Sequence, residues 1–147
     1  MIYIASDHGG YQLKEFLKLY LVKAKIEYVD LGPSQIIKDD DYPDYAAKVS
    51  EKVSGNPRKN VGILMCRSGQ GMAIAANKFR HVRAAVIWNT KQAKAARNDD
   101  MTNVLALPSD YLTTPEAWRI VKTWLTTPYS KDKRHLRRVK KIAKLES

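Results

Sequence analysis

The apolar run from Val61 to Met65, in the middle of the chain, constrains the fold more than any other feature of the sequence. A strand that is apolar at every position is typical of a parallel sheet covered on both faces, because both rows of its side chains are buried. The run leads directly into a glycine-rich stretch, Cys66-Arg67-Ser68-Gly69-Gln70-Gly71, and then into a helical pattern over 72–78. The sequence therefore predicts a buried strand, a tight turn and a helix in that order.

Strand-like and helix-like segments alternate along the rest of the chain. The pattern predicts strands over 2–6, 27–31, 61–65, 83–88 and 103–107, with helices between and after them. The first helix is predicted to face the sheet with five residues at helical spacing: Leu13, Phe16, Leu17, Tyr20 and Leu21. Alternation with short connections predicts an α/β fold, an open parallel sheet with helices on both faces.

Length and cysteine content set the class of protein. The 147 residues suit one domain, 1–147, which can bury a core without staples, and a single Cys cannot form an internal disulfide. The chain has no apolar run near the roughly 18 residues that a membrane span needs. Its first residues include an acid, Asp7, and lack the basic region of a signal peptide. We therefore expect a cytoplasmic protein that does not contact a membrane.

The positive charge is concentrated at the C-terminus. Residues 131–147 contain eight basic and two acidic side chains, which supply more than half of the net charge of +11. Such a basic helix is a solvated face, a nucleic-acid patch or a site for a phosphorylated ligand. No Trp or Phe lies within it, so stacking on bases is absent and nucleic acid is the disfavoured partner.

Two polar clusters follow predicted strands and share the ligand-binding edge of the sheet. They are Ser6-Asp7-His8-Gly9-Gly10 and the glycine-rich stretch that begins at Cys66. At the N-terminus of a helix, the partial positive charge favours a thiolate, so we expect a lowered pKa for Cys66. The alternative is a small buried core residue.

The turn Arg67-Ser68-Gly69-Gln70-Gly71 can aim several backbone N–H groups at an anion or a developing oxyanion. It matches neither the phosphate loop of nucleotide-binding proteins nor the dinucleotide fingerprint, so a plain strand-to-helix turn is the alternative. Asp7 is suited to bind a sugar hydroxyl and His8 to bind a phosphate. The alternative is that Asp7 is an N-cap and His8 a surface imidazole. Arg134 and Arg138 are at i and i+4, so they project from one face of a helix and can bind a single anion. The alternative is a solvated basic face.

The sequence offers little support for a metal site or for a serine nucleophile. The three His residues and the one Cys show no metal-ligand spacing, and no Gly-x-Ser-x-Gly motif occurs. The sequence therefore predicts no metal site.

Taken together, five segments resemble ribose-5-phosphate isomerase B and the related galactose-6-phosphate isomerase subunits. The segments, which follow the family's order along essentially the whole chain, are Ser6–Gly10, Asp41–Pro43, Cys66–Lys78, Asn103–Leu107 and Arg134–Val139. The resemblance implies a Rossmann-like three-layer α/β/α fold with a five-stranded parallel sheet and an extra C-terminal helix.

The same resemblance implies an aldose–ketose isomerase without metal or cofactor, acting on ribose 5-phosphate or a related sugar phosphate. It implies a homodimer, or a tetramer, with active sites shared between subunits and the helix of 131–147 at the dimer interface. Cys66 is then the base that takes the proton beside the carbonyl. The implied substrate contacts are Asp7, His8 and Tyr42, the enediolate contacts are Arg67, Ser68, Gly69, Gln70 and Gly71, and the phosphate contacts are Arg134 and Arg138.

Several positions depart from the family pattern. Asp99 stands where the family has the His that donates a proton in ring opening, and Asp100 stands where an Asn contacts substrate. Asp110 replaces a phosphate-binding Arg, Arg67 replaces a glycine, and Ser68 replaces a common Thr. Three outcomes follow: Asp99 serves as the acid, a different sugar phosphate binds through Arg67, or the chain is a weakly active binding homologue completed by a paralogous partner subunit.

Overall fold

The apolar run at Val61 becomes the central strand of a sheet in the computed structural model, which describes residues 1–146. Five parallel strands form that sheet in the order β2-β1-β3-β5-β4. The strands are β1 (Ile2–Ser6), β2 (Tyr28–Asp30), β3 (Val61–Cys66), β4 (Ala84–Val86) and β5 (Val104–Pro108). The predicted parallel α/β sheet is confirmed.

Six helices follow or separate the strands, close to the predicted positions. They are α1 (Tyr11–Lys23), α2 (Tyr42–Gly55), α3 (Gln70–Ala76), α4 (Thr90–Asp99), α5 (Thr114–Thr126) and α6 (Lys133–Ala143). Each strand-to-helix connection passes over the carboxyl edge of the sheet, as parallel pairing requires.

Each face of the sheet carries its own hydrophobic core, which gives three layers. On one face α1, α4 and α5 pack against alternate strand residues such as Ile63 and Met65. On the other face α2 and α3 pack against the intervening residues, among them Leu64 and Cys66. The predicted three-layer α/β/α sandwich is therefore confirmed, and Cys66 belongs to the α2–α3 side.

The order of the strands creates a switch point between β1 and β3. The chain leaves β1 for α1 on one face of the sheet and leaves β3 for α3 on the other face. The two connections therefore diverge and open a crevice at the carboxyl ends of these adjacent strands, where ligands bind in open α/β sheets. Asp7 and Cys66 lie at this crevice, since Ser6 pairs with Met65 in the strand register.

The inward face of α1 differs from the prediction at one position. Phe16 is 49% exposed, whereas Lys14 is fully buried along with Leu13, Leu17 and Leu21. The Lys14 ammonium is satisfied by the Asp30 carboxylate at 2.7 and 2.9 Å and by the Pro33 carbonyl oxygen at 2.7 Å. A paired charge is stable inside a protein, and it takes the place that hydrophobicity alone assigns to Phe16.

The basic helix α6 forms where it was predicted, but none of its residues is buried. Leu136 and Ile142 are 37% and 42% exposed. Asp132 caps the N-terminus of the helix, and its carboxylate accepts the Arg134 backbone N–H at 2.7 Å. The apolar side chains of α6 are partly uncovered in the single chain.

Candidate active site

The loop after β1 is held tightly over the end of β3. The backbone N–H of Asp7 donates to the Met65 carbonyl oxygen at 3.3 Å, and the Asp7 carboxylate accepts the Gly10 N–H at 2.9 Å. A Cβ on Gly10 would lie 2.4 Å from the Met65 oxygen, so only glycine allows this approach. Asp7 is buried, and burial raises the pKa of its carboxyl although the Gly10 hydrogen bond opposes the shift.

Cys66 lies beside this loop with a thiol that is 5% exposed. Its Sγ accepts the Gly69 backbone N–H at 3.1 Å. Burial raises the pKa of the Cys66 thiol and the Asp7 carboxylate adds to the effect, while N–H groups of Met72, Gly69 and Ser68 partly oppose it. The expectation of a lowered thiol pKa is therefore wrong for the single chain, because desolvation outweighs the hydrogen bonds.

The glycine-rich turn converges on the sulfur itself. Gly69 adopts a left-handed conformation with a φ of 74°, which aims its N–H back at the Cys66 Sγ. A Cβ at Gly71 would overlap the Tyr42 ring at 2.4 Å, so Tyr42 packs directly over this turn. The structure thus brings together Cys66, the turn and Tyr42, with the N–H groups placed to stabilise a thiolate.

His8 has a partner that the sequence analysis missed. Its ring Nδ1 lies 2.6 Å from Asp40 Oδ1, and its backbone N–H donates to the same oxygen at 3.0 Å. Asp40 belongs to an acidic run in the loop between β2 and α2, and 32 residues separate it from His8. No periodicity links positions so far apart, so the acidic run itself is the only sequence signal.

Arg67 is paired with one of the residues that depart from the family pattern. Its Nη1 lies 3.6 Å from Asp110 Oδ2, and its carbonyl oxygen accepts the Asp110 backbone N–H at 3.0 Å. The Arg67 side chain is 68% exposed and passes over Gly9, where a Cβ would lie 2.6 Å from Arg67 Cγ. The aliphatic part of Arg67 therefore crosses the loop that carries His8, and the guanidinium is directed at Asp110.

A cleft of about 520 Å³ opens on the other side of the turn. It is lined by Ser68, Gln70, Trp88, Pro108 and Tyr111, and both aromatic side chains are at least half exposed. The cleft provides room for a small ligand beside the turn.

Four other predicted site residues lie at the opposite edge of the sheet. Asp99 ends α4 and Asp100 follows it, before the chain enters the amino end of β5. Asp99 Oδ1 is 3.6 Å from the Nδ1 of His135 in α6, the helix that carries the exposed Arg134 and Arg138. One chain alone does not bring these four residues to Cys66, because Cys66 is at the carboxyl edge.

Within residues 1–146, no group of three His, Cys, Asp or Glu side chains is arranged to hold a metal ion. None of the helices described over that range is both long and apolar enough to cross a membrane.

These features define a class of protein. The fold is a Rossmann-like parallel α/β sandwich, and its switch point brings together a thiol, two carboxylates and an imidazole. Comparison with known proteins narrows this class to one family. The model of the Ribose/Galactose Isomerase family matches residues 2–142, and the chain belongs to this family.

Individual relatives agree with the family match. Ribose-5-phosphate isomerase B of Mycobacterium tuberculosis is 34% identical over 145 residues, which cover 99% of this chain and 89% of the relative. The crystal structure of ribose-5-phosphate isomerase B from Mycoplasma genitalium with bound ribulose-5-phosphate superposes with a TM-score of 0.95 at 42% identity, covering 99% of this chain and 95% of that one. The Thermotoga maritima enzyme gives a TM-score of 0.91 at 42% identity, covering 97% of both chains. The predicted family resemblance is confirmed.

Proposed function

We propose that the chain interconverts ribose 5-phosphate and ribulose 5-phosphate, with Cys66 as the base. The observation that carries this proposal is the Cys66 thiol at the switch point, hydrogen-bonded by the Gly69 N–H, in a fold that superposes on an isomerase with bound ribulose-5-phosphate. Proton transfer beside a carbonyl fits this arrangement, because it requires one base and donors for a developing negative charge.

The reaction moves one proton between neighbouring carbons of the open-chain sugar. The Cys66 thiolate takes the proton from C2 of the aldose, which gives an enediolate; a proton is then delivered to C1 while the hydroxyl proton on O2 passes to O1. N–H groups of the turn stabilise the thiolate first and the enediolate oxygen after the thiol has taken its proton. One such donor is worth about 3 kcal/mol in a transition state.

The thiol must ionise before it acts as a base, and its buried position opposes this. Burial raises the pKa of Cys66, so a small fraction of the free enzyme carries the thiolate at neutral pH. A thiolate of higher pKa is also a stronger base, which suits removal of a weakly acidic C–H proton. Asp7 is beside the thiol and is suited to hold a sugar hydroxyl.

We propose that the active form is a homodimer in which each site takes residues from both chains. Asp99, Asp100, Arg134 and Arg138 are at the amino edge of the sheet in one chain, and the α6 side chains are uncovered. A two-fold partner would bring this edge over the crevice of the other chain. Arg134 and Arg138 then bind the phosphate, and Asp99, 3.6 Å from His135, donates the proton that opens the sugar ring.

Ring opening is the step in which this chain departs most from its family. Asp99 stands at the position where the family has a histidine, and 46% of its side chain is accessible in the single chain. The departures at Asp99 and Asp110 favour a second candidate, a chain that binds the sugar phosphate but turns it over weakly. Assay of the wild type separates the two candidates.

The direct test is a coupled assay for ribulose 5-phosphate formation with Cys66→Ala and Cys66→Ser. We expect both variants to lose activity by at least roughly a hundredfold, because neither alanine nor a serine hydroxyl supplies a base of thiolate strength. Binding of ribulose 5-phosphate, measured by calorimetry, should persist in both variants. Full activity in Cys66→Ala refutes the assignment of the base, and binding without turnover in the wild type supports the second candidate.

A further inference from the structure

We propose that Asp40 is a positioning residue for His8: it accepts from Nδ1–H and so leaves Nε2 directed at the substrate phosphate, to which Nε2 donates when the ring is the imidazolium. The inference rests on the proposed function for the identity of the ligand. The geometry of the pair itself does not depend on that function.

The two residues are joined by two hydrogen bonds to a single oxygen. Asp40 Oδ1 accepts from the ring Nδ1 of His8 at 2.6 Å and from its backbone N–H at 3.0 Å. A carboxylate only accepts, so Nδ1 carries the proton and Nε2 is left as the free ring nitrogen. In the imidazolium both ring nitrogens donate, so Nε2 can bind an anionic oxygen while Nδ1 keeps its hydrogen bond to Asp40.

The two side chains of the pair differ in their burial. The Asp40 side chain is 6% exposed, whereas the His8 side chain is 35% exposed. The carboxylate is therefore inside the protein, and the His8 ring is the part of the pair that a ligand can reach. Burial alone would raise the pKa of Asp40, but the two hydrogen bonds from His8, together with a hydrogen bond from Tyr45 and the charge of His8, hold the pKa below its usual value.

The fold fixes both ends of the loop that carries Asp40. At the start, the buried Lys14 ammonium binds the Asp30 carboxylate and the Pro33 carbonyl oxygen, and the Tyr11 hydroxyl donates to the Ser34 carbonyl oxygen at 3.0 Å. At the end, α2 begins two residues after Asp40. The loop therefore presents Asp40 to His8 in a defined place, which is what a positioning residue requires.

The surrounding charges assign the phosphate end of the site. Arg67 Cγ lies over Gly9 while the guanidinium is 3.6 Å from Asp110, so His8 supplies the anion-binding group of this loop. Asp7 lies deeper, where its buried carboxylate would repel a phosphate dianion. A sugar phosphate therefore binds with its phosphate toward His8 and its carbonyl end toward Cys66.

The test uses Asp40→Ala and Asp40→Asn, with Asp39→Asn as the matched control. The control removes the same charge from the neighbouring, exposed residue, whose φ of 62° asparagine tolerates. The first measurement is the His8 tautomer, by nitrogen-15 NMR at alkaline pH, with the signals assigned by their loss in His8→Gln. The second is the steady-state kinetics with ribose 5-phosphate and with inorganic phosphate as a competitive inhibitor.

We expect the Nδ1–H tautomer in the wild type, Asp39→Asn and Asp40→Asn, since an asparagine oxygen also accepts from Nδ1. Asp40→Ala should revert to the Nε2–H tautomer that predominates for free imidazole. The KM for ribose 5-phosphate and the inhibition constant for inorganic phosphate should each rise about tenfold in Asp40→Ala, with kcat changed less than about twofold, as for loss of one charge-assisted hydrogen bond outside the reacting atoms. Asp40→Asn should give a smaller rise in both constants.

Two results overturn the inference. A wild-type Nε2–H tautomer shows that Asp40 does not hold the ring, and a loss of kcat at constant KM shows that the pair moves a proton instead of binding phosphate. A wild type that does not turn over ribose 5-phosphate refutes the proposed function. In that case the tautomer and the change of the His8 signals on addition of inorganic phosphate still decide the role of Asp40.

Discussion

Substitution of Gly69 by alanine tests the link between the backbone of the glycine-rich turn and the reactivity of Cys66. Gly69 has a φ of 74°, which an L-residue adopts at a cost of about 1–2 kcal/mol. The new Cβ would lie 3.1 Å from Val86 Cγ1 and 3.3 Å from the carbonyl carbon of Leu107. Because backbone at the end of β5 cannot easily yield, we expect a total loss of about 2 kcal/mol and a Tm lower by about 6 °C.

The same substitution should weaken catalysis by a separate route. The Gly69 N–H donates to the Cys66 Sγ at 3.1 Å, and this contact depends on the left-handed conformation. Loss of a hydrogen bond to a charged group costs about 1.5–3 kcal/mol, so kcat/KM should fall at least about tenfold. The thiol pKa should rise further, which is measured from the pH dependence of Cys66 alkylation followed by mass spectrometry. The chain has one cysteine, so the signal is unambiguous.

Gly55→Ala is the control for this experiment. Gly55 is in the last turn of α2, and a Cβ built there meets nothing within 4 Å. Alanine is favoured over glycine in a helix by about 0.5–1 kcal/mol, so this variant should be as stable as the wild type or slightly more stable, with unchanged activity. Wild-type stability and activity in Gly69→Ala would refute the reasoning, because the turn would then need neither the left-handed glycine nor its N–H.

Three further predictions follow from the site and the core. Arg134→Ala and Arg138→Ala should each raise the KM for ribose 5-phosphate about tenfold while an unphosphorylated sugar is little affected, and an equal effect on both substrates refutes phosphate binding. Since burial and the Asp7 carboxylate raise the pKa of the Cys66 thiol, kcat/KM should rise with pH beyond the ordinary cysteine range. Asp7→Asn should move that rise to lower pH, and an unmoved profile refutes the coupling of the two groups. Lys14→Ala removes a buried ammonium and its hydrogen bonds, while Asp30 keeps Lys18 as a partner at 2.8 Å, so the free energy of unfolding should fall by about 2 kcal/mol in urea denaturation. A loss below about 1 kcal/mol contradicts this role.

The strands and helices were predictable because their signals are local. Alternating segments with short connections admit few arrangements, and the apolar run at Val61 identifies the central strand. The orientation of α1 was predicted less well, since hydrophobicity counts Phe16 as buried and Lys14 as exposed. In the structure Lys14 is buried and Phe16 is exposed, because Asp30 and Pro33, from a different strand and loop, supply the partners that make a buried ammonium stable.

In the candidate site, too, features set by neighbouring residues were predictable and features set by distant residues were not. Cys66 and the turn are consecutive in the sequence, so their meeting could be predicted, but the thiol pKa could not. The N–H groups of the turn act on the sulfur as expected, yet desolvation by both α2 and α3 outweighs them. The partnership of His8 with Asp40 depends on the path of a loop, which no sequence pattern specifies.

Asp99 and Arg138 lie far from Cys66 within one chain. Both belong to the set predicted to act with Cys66, but they lie at the amino edge of the sheet while Cys66 lies at the carboxyl edge. No rotation of a side chain closes that gap, since the strands between the two edges are five or six residues long. If these residues act on one substrate, a second copy must supply them, and the uncovered apolar residues of α6 are consistent with such a contact. Function at this site would then depend on assembly, and dilution below the dimer dissociation constant would remove activity without unfolding the chain.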